Sequence, residues 1–204
     1  MSVAWSPDGK RLASGSYDGS ARLWSADGVQ QASLSPSKQA VHSVAFSRDG
    51  RSLITGSKDN LLVIWDLAAG KPRHRLSAHR GAVEAVAVSP DGRWIVSGGG
   101  DRMLKTWDLA GGKVIRLFEG HARFVKCVAI SPDGRLIASG SNDESIRLWE
   151  TATGRHVATL DGHRNTVYAV AFSPDGRRLA SASFDRSVKL WDVASAKRIT
   201  RIED

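Results

Sequence analysis

The sequence predicts an all-β fold made of five equivalent antiparallel units of four strands each. Three observations carry that prediction. One motif recurs along the whole chain, its tryptophans Trp24, Trp65, Trp107, Trp149 and Trp191 spaced by 41, 42, 42 and 42 residues. Each copy alternates short runs of Val, Ile, Leu, Phe and Trp with clusters of Gly, Pro, Asp and Ser, the pattern of strands and tight turns. No segment keeps apolar residues at helical spacing over a useful length. One four-stranded sheet cannot bury both of its faces, whereas sheets stacked radially can, so the repeat implies a propeller.

The repeated cores cover residues 3–28, 44–70, 86–112, 128–154 and 170–196, and the units divide near 1–36, 37–78, 79–120, 121–162 and 163–204. The last unit shows the elements most plainly. "TVYAVAF" is the first strand. "SPDG" is a tight turn, with Pro preset for its second position and Gly closing it. "RRLASAS" is the second strand, "FDRS" the next turn and "VKLWDV" the third strand. "KRITRIE" is the fourth, more polar and therefore outermost.

The composition is that of an ordinary globular chain, with 204 residues, 41% apolar and 25% charged. No apolar run approaches the roughly 18 residues of a membrane helix. "MSVAWSPDGK" has no basic-then-apolar leader. The single cysteine, Cys127, excludes an internal disulfide framework and points to a reducing, cytoplasmic setting. The formal charge of +8 raises acidic partners for consideration, although solvated Lys and Arg explain most of it.

Serine, histidine and aspartate recur in a way that first suggests nucleophilic catalysis. His163, Ser181, Asp185 and Trp191 have counterparts in His121, Ser139, Asp143 and Trp149, and in His79, Ser97, Asp101 and Trp107. A catalytic site is needed once, but this set appears once per unit. It also includes an indole N–H, a donor with no nucleophilic use. A relay from Trp to Ser to His to Asp would satisfy every buried polar group, so the reading is structural and no catalytic residue is expected. The relay is incomplete in the second unit, where Ser37 replaces histidine beside Thr55, Asp59 and Trp65. The first unit keeps Ser14, Asp18 and Trp24. These two units are expected to be the less stable.

Taken together, "GH", "SPDG", "LASGS", the aspartate and "LWD" resemble the WD40 repeat, and the resemblance covers essentially the whole chain. The closing pair stands as Trp65–Asp66, Trp107–Asp108 and Trp191–Asp192 and has drifted to Trp24–Ser25 and Trp149–Glu150. The resemblance implies an all-β propeller of four-stranded blades, either partial or five-bladed. It also implies a non-catalytic protein-interaction scaffold that binds partner peptides or domains at one end, the top. A second implied reading is the sensor or regulatory part of a larger signalling protein of the kinase or NTPase type.

In such repeats, binding residues sit at the third and fifth positions after the GH histidine and just before the relay aspartate. Carried onto this chain, these are Tyr17, His42, Lys58, Glu84, Phe124, Lys126, Asn142, Tyr168 and Phe184. The aromatic members, with Lys38, Arg80, Arg102, Arg123, Arg164 and Arg186 around them, suit an acidic or phosphorylated peptide.

Other chemistries find less support. Sheets pack about 10 Å apart, so histidines in different blades cannot share one metal ion, and neither a metal nor a cofactor is expected. "SGGGD" (97–101) reads as a turn at the relay rather than a phosphate cradle. The Lys and Arg after each "DG" turn lie beside aspartates, without interleaved aromatics, and this argues against nucleic acid. Trp94 and Leu136 are apolar where the other units are polar, as a side contact for a partner or for each other. The chain begins inside a first strand and stops one residue short of the next histidine position. A piece of a longer array is the favoured expectation, and self-association through open first and last blades is another.

Overall fold

The computed structural model describes residues 2–203, so Met1 and Asp204 lie outside the described residues. It contains five antiparallel four-stranded sheets, each formed from strands consecutive in sequence. The first blade is β1 (Val3–Trp5), β2 (Arg11–Gly15), β3 (Ala21–Ser25) and β4 (Gln30–Leu34). The second is β5 (Val41–Phe46), β6 (Ser52–Ser57), β7 (Leu61–Asp66) and β8 (Lys71–Ser77). The third is β9 (Val83–Val88), β10 (Trp94–Gly99), β11 (Leu104–Asp108) and β12 (Val114–Phe118). The fourth is β13 (Val125–Ile130), β14 (Leu136–Ser141), β15 (Ile146–Glu150) and β16 (His156–Leu160). The fifth is β17 (Val167–Phe172), β18 (Arg178–Ser183), β19 (Ser187–Asp192) and β20 (Lys197–Glu203). No helix is present among the described residues, and none is long and apolar enough to cross a membrane.

The β1–β2 hairpin shows why the turn sequence recurs. Gly9 N–H donates to Ser6 C=O at 2.9 Å, and Gly9 takes a φ of +68°, a conformation that side chains resist. Ser6 Oγ donates to Asp8, whose carboxylate also accepts the Lys10 N–H. The same serine–aspartate lock closes the turns at Ser47–Asp49, Ser89–Asp91, Ser131–Asp133 and Ser173–Asp175.

Blades stack in sequence order, the first strands β5, β9, β13 and β17 touching their neighbours along the inside. Each seam joins one face of a blade to the opposite face of the next. Ala13, Leu23 and Leu34 meet Val44, Phe46 and Trp65. Ile54, Leu62 and Ile64 meet Val86, Ile95 and Trp107. Val96, Leu104 and Phe118 meet Val125, Ile137 and Trp149. Ala138, Ile146, Leu148 and Leu160 meet Val167, Leu179 and Trp191. Each fully buried aliphatic or aromatic side chain here contributes roughly 1.5–3 kcal/mol, so the seams supply most of the cohesion.

Polar groups also cross the seams. Arg11 Nη2 donates to Gly50 C=O at 2.7 Å, Arg75 Nη1 to Pro36 C=O at 2.8 Å and Arg116 Nη1 to Thr153 C=O at 3.0 Å. Trp94 packs against the seam between the third and fourth blades, while Leu136 lines an outer groove with Val157. The "SGGGD" stretch also differs from expectation. Ser97, Gly98 and Gly99 continue β10, and only Gly100 and Asp101 enter the turn. A Cβ at Gly99 would fall 2.3 Å from His79 Nδ1, so the imidazole would have to shift to admit a side chain there.

Candidate functional site: the top face

The loop leading into each first strand and the turn between second and third strands lie side by side. Backbone bonds join them: Lys58 N–H to Ala40 C=O, Gly100 N–H to Ala82 C=O, Asn142 N–H to Phe124 C=O and Phe184 N–H to Thr166 C=O, each 2.8–2.9 Å. These bonds fix the backbone at the positions singled out from sequence and turn their side chains away from the core.

The relay beneath holds this face in place. Trp107 Nε1, Trp149 Nε1 and Trp191 Nε1 donate to Ser97, Ser139 and Ser181 Oγ at 2.8–2.9 Å. Those hydroxyls lie 2.7–2.8 Å from Nε2 of His79, His121 and His163. Nδ1 of each histidine lies 2.7–2.8 Å from Asp101, Asp143 or Asp185. Tryptophan and carboxylate fix the roles: serine accepts from the indole, its own proton goes to Nε2, and Nδ1–H goes to aspartate. The aspartates also accept the backbone N–H of Arg80, Ala122 and Arg164, which pins each top loop to its blade.

In the second blade Ser37 Oγ donates to Asp59 at 2.6 Å, but Trp65 Nε1 reaches Thr55 only at 3.4 Å. In the first blade Trp24 bonds Ser14 at 2.9 Å while only half-buried.

One member of this network is absent from the sequence reading. Lys189 is fully buried, donates to Gly162 C=O and lies 3.3 Å from Asp185. Burial lowers its ammonium pKa, and Asp185 opposes that shift. Lys105 Nζ makes the equivalent bond to Ala78 C=O at 2.7 Å. The available signal was a cation two residues before the repeated tryptophan, at Arg22, Lys105, Arg147 and Lys189, with Val63 the exception.

The nine residues from sequence divide between two cavities and the rim. Tyr17, His42, Glu84, Lys126 and Tyr168 line an axial cavity of about 660 Å³ between the first strands. There Lys126 Nζ is 2.6 Å from Glu84 Oε2, and His42 Nδ1 is 3.3 Å from the same oxygen. Burial pushes the Glu84 carboxyl up, but the nearby His42 imidazole and the hydrogen-bonded Lys126 ammonium outweigh it and hold it below the usual carboxylate range. Cys127, beside this cavity, is pushed up to about 12 by burial and stays a thiol. Tyr168 and Phe184 meet edge to face at 6.1 Å with both rings still exposed. Lys58 stands exposed on the rim.

Phe124 and Asn142 line a second cavity of about 890 Å³, between the top loops of the third and fourth blades. Arg80, Arg102, Lys105 and Arg123 line it too, against the carboxylates Asp101 and Glu119. Asp101 is committed to His79 and to the Arg80 and Met103 amides. The side chains of Arg80, Arg102 and Arg123 make no hydrogen bond or ion pair among the described residues. Asn142 Oδ1 is buried with no partner. Sequence reasoning named all three arginines as a rim, but not that they converge on one groove. No group of three or more His, Cys, Asp or Glu able to hold a metal occurs among the described residues.

Five four-stranded sheets stacked face to face, each with a Trp–Ser–His relay or a remnant of it, define a repeat protein of the propeller class. The family model described as "WD domain, G-beta repeat" matches residues 1–25, 28–66, 70–108, 112–150 and 154–192. The chain belongs to the WD40 repeat family. It is 30% identical over 74 residues to the mouse F-box-like/WD repeat-containing protein TBL1X, a match covering 36% of this chain and 14% of that protein. WD40 repeats generally mediate protein–protein interaction, and proteins built from them are typically non-catalytic scaffolds.

Proposed function

We propose that this chain is a non-catalytic interaction scaffold whose top face takes an acidic or phosphorylated segment of a partner protein. The observation that carries this reading is the groove between the third and fourth blades, where three guanidinium groups have no carboxylate of their own beside exposed Phe124. Guanidinium forks match carboxylate and phosphate oxygens bidentately. An exposed ring beside them supplies apolar contact at small entropic cost. The axial cavity fits this role less well, because Glu84 already neutralises Lys126.

The test is fluorescence anisotropy with two labelled peptides, one of alternating glutamate and phosphoserine, the other its glutamine–serine counterpart. The acidic peptide is expected to bind with a Kd that weakens with salt. Arg80→Glu, Arg102→Glu and Arg123→Glu together are expected to weaken it at least tenfold, with Phe124→Ala reducing it further. Equal binding of the two peptides would sink the proposal, as would indifference to the arginine changes.

A further inference from the structure

We propose that the arginine groove continues onto an apolar strip along β12, the outer strand of the third blade, and that this strip takes a short apolar run adjoining the acidic cluster of the same partner segment. The inference rests on the reading of the groove given above and adds the composition of the segment beside its acidic cluster.

The strip stands out when the five blades are compared. Each outer strand pairs with its third strand in the same register, so equivalent positions follow from the pairing. Opposite the residue two before the repeated tryptophan stand Ser33, Arg75, Leu117, Thr159 and Arg201. Opposite the tryptophan itself stand Gln30, Pro72, Val114, His156 and Arg198. Only the third blade has an aliphatic residue at both. Between them Ile115 occupies the bulge that every outer strand carries. Val157 and Ile199 fill that bulge in the fourth and fifth blades, so Ile115 extends the strip without defining it.

Val114, Ile115 and Leu117 are 48%, 53% and 49% exposed. β12 is the edge of its sheet. The third blade is packed against the second on one face and the fourth on the other, so no further blade can stack there. Edge strands are ordinarily blunted by charge or proline, as β8 is by Lys71, Pro72, Arg73 and Arg75. β12 instead groups aliphatic side chains in solvent, the mark of an interaction surface.

Two observations say what covers the strip. The first is continuity. Leu117 and its cross-strand partner Lys105 both line the cavity that holds Arg80, Arg102 and Arg123. Val114 shares the face of Leu117, because their partners Trp107 and Lys105 lie two apart on β11. A segment leaving the groove along β12 therefore meets Leu117 and then Val114. The second is charge. Exposed Lys113 stands at one end of the strip, and Lys105 with the three arginines at the other. Asp101, the nearest carboxylate at the groove, is already committed to His79 and two amides. This excess suits carboxylates or phosphates beside an apolar run. It opposes a second copy of this chain, which would bring the same cations against them.

Fluorescence anisotropy on the whole chain tests the proposal. The glutamate–phosphoserine peptide is extended by valine and leucine alternating with threonine, before the acidic cluster in one probe and after it in another. Matched probes carry serine and glycine in place of the extension. One apolar extension is expected to tighten binding about tenfold or more over its match. Leu117→Thr with Val114→Gln installs the residues that the fourth and first blades carry at these positions, so the fold should survive, and circular dichroism checks that it does. The gain is expected to vanish in that variant, and the comparison of probes on the parent stands independently of it. Matched probes that bind with the salt dependence of the groove, with no gain from either apolar run, overturn this inference and leave the groove reading in place. A gain that persists in the variant overturns it, as does a gain undiminished when glutamine and serine replace the acidic cluster. Failure of every probe to bind ends both readings. Self-association of the parent, seen by light scattering and abolished by Leu117→Thr with Val114→Gln, would give the strip to a second copy and overturn the proposal.

Discussion

Trp191 donates its indole N–H to Ser181 Oγ at 2.8 Å, and His163 Nε2 takes up the other side of that hydroxyl at 2.7 Å. A serine occupied on both sides by buried groups is a strut, not a nucleophile. Ser181→Ala leaves an indole N–H and an imidazole nitrogen unpaired, at roughly 1–3 kcal/mol for each group. Ser14→Ala removes the same bond from Trp24 in the first blade, where water can replace it because that tryptophan is only half-buried. Urea denaturation of the two variants should show a clear loss for Ser181→Ala and a smaller one for Ser14→Ala. Equal losses would mean that burial does not set the value of the relay.

Acid should weaken the fold in two stages. Burial pushes the Asp101 carboxyl up, but hydrogen bonds from His79 and the Arg80 amide outweigh it and bring it from 3.8 to about 2. Asp143 and Asp185 shift the same way for similar reasons. A carboxyl depressed in the folded state contributes stability above its unfolded pKa and loses it as pH falls toward the folded value. His163 moves downward as well: burial lowers it below 6.5, and its bond to Asp185 only partly opposes this. Below pH 6.5 the unfolded chain therefore takes up that proton first, and stability falls with pH there too. Tm is expected to be level above pH 7, to decline gently below about 6.5 and to fall steeply between about 4 and 2. A Tm unchanged down to pH 3 would contradict both assignments.

The repeat made the strands, the turns and the relay legible, because each depends on spacing within one unit. It also put His42, Glu84 and Lys126 at the same level of successive blades. It could not reveal that adjacent blades bring Lys126 to 2.6 Å from Glu84, since that depends on how closely the first strands pack. The groove of Arg80, Arg102 and Arg123 was hidden for the same reason, being formed by loops of two blades. Lys189 was hidden because a cation in an alternating strand reads as solvent-facing. Here its long stem crosses the seam region and its charge ends at Gly162 C=O and Asp185.

Glu84→Gln tests the axial cluster. It removes the charge that holds Lys126 and His42, at about 1–2 kcal/mol, since Lys126 keeps some access to water. The cavity mouth then gains positive charge. Tripolyphosphate, as a simple anionic probe, is expected to bind the variant more tightly than the parent by isothermal titration. Unchanged binding together with unchanged stability would show that the 2.6 Å pair contributes nothing.

Arg102 carries a φ of +71°, where the first blade has Gly19 at +84°. A side chain in this region costs roughly 1–2 kcal/mol, while glycine gives back about 0.5–1 kcal/mol through unfolded-state entropy. Arg102→Gly is expected to stabilise the chain by up to about 1 kcal/mol and to weaken acidic-peptide binding in the same protein. Paired melting and anisotropy measurements read both effects. A variant that binds as well as the parent would remove Arg102 from the groove's role.

Gly98 and Ala182 occupy equivalent positions in different surroundings. A Cβ at Gly98 would meet Val125 Cγ1 at 2.7 Å and Val128 Cγ1 at 3.1 Å across the seam between the third and fourth blades. Both valines lie on β13, which pairs with β14 and resists their withdrawal. Gly98→Ala should therefore overpack the seam and cost roughly 1–3 kcal/mol. Ala182→Gly, on the uncovered face, relieves no contact within the chain and should destabilise the monomer by no more than about 1 kcal/mol, the strand cost of glycine. Urea denaturation of the two variants reads both effects. Equal losses would show that the close approach of Gly98 to the fourth blade carries no cost of its own.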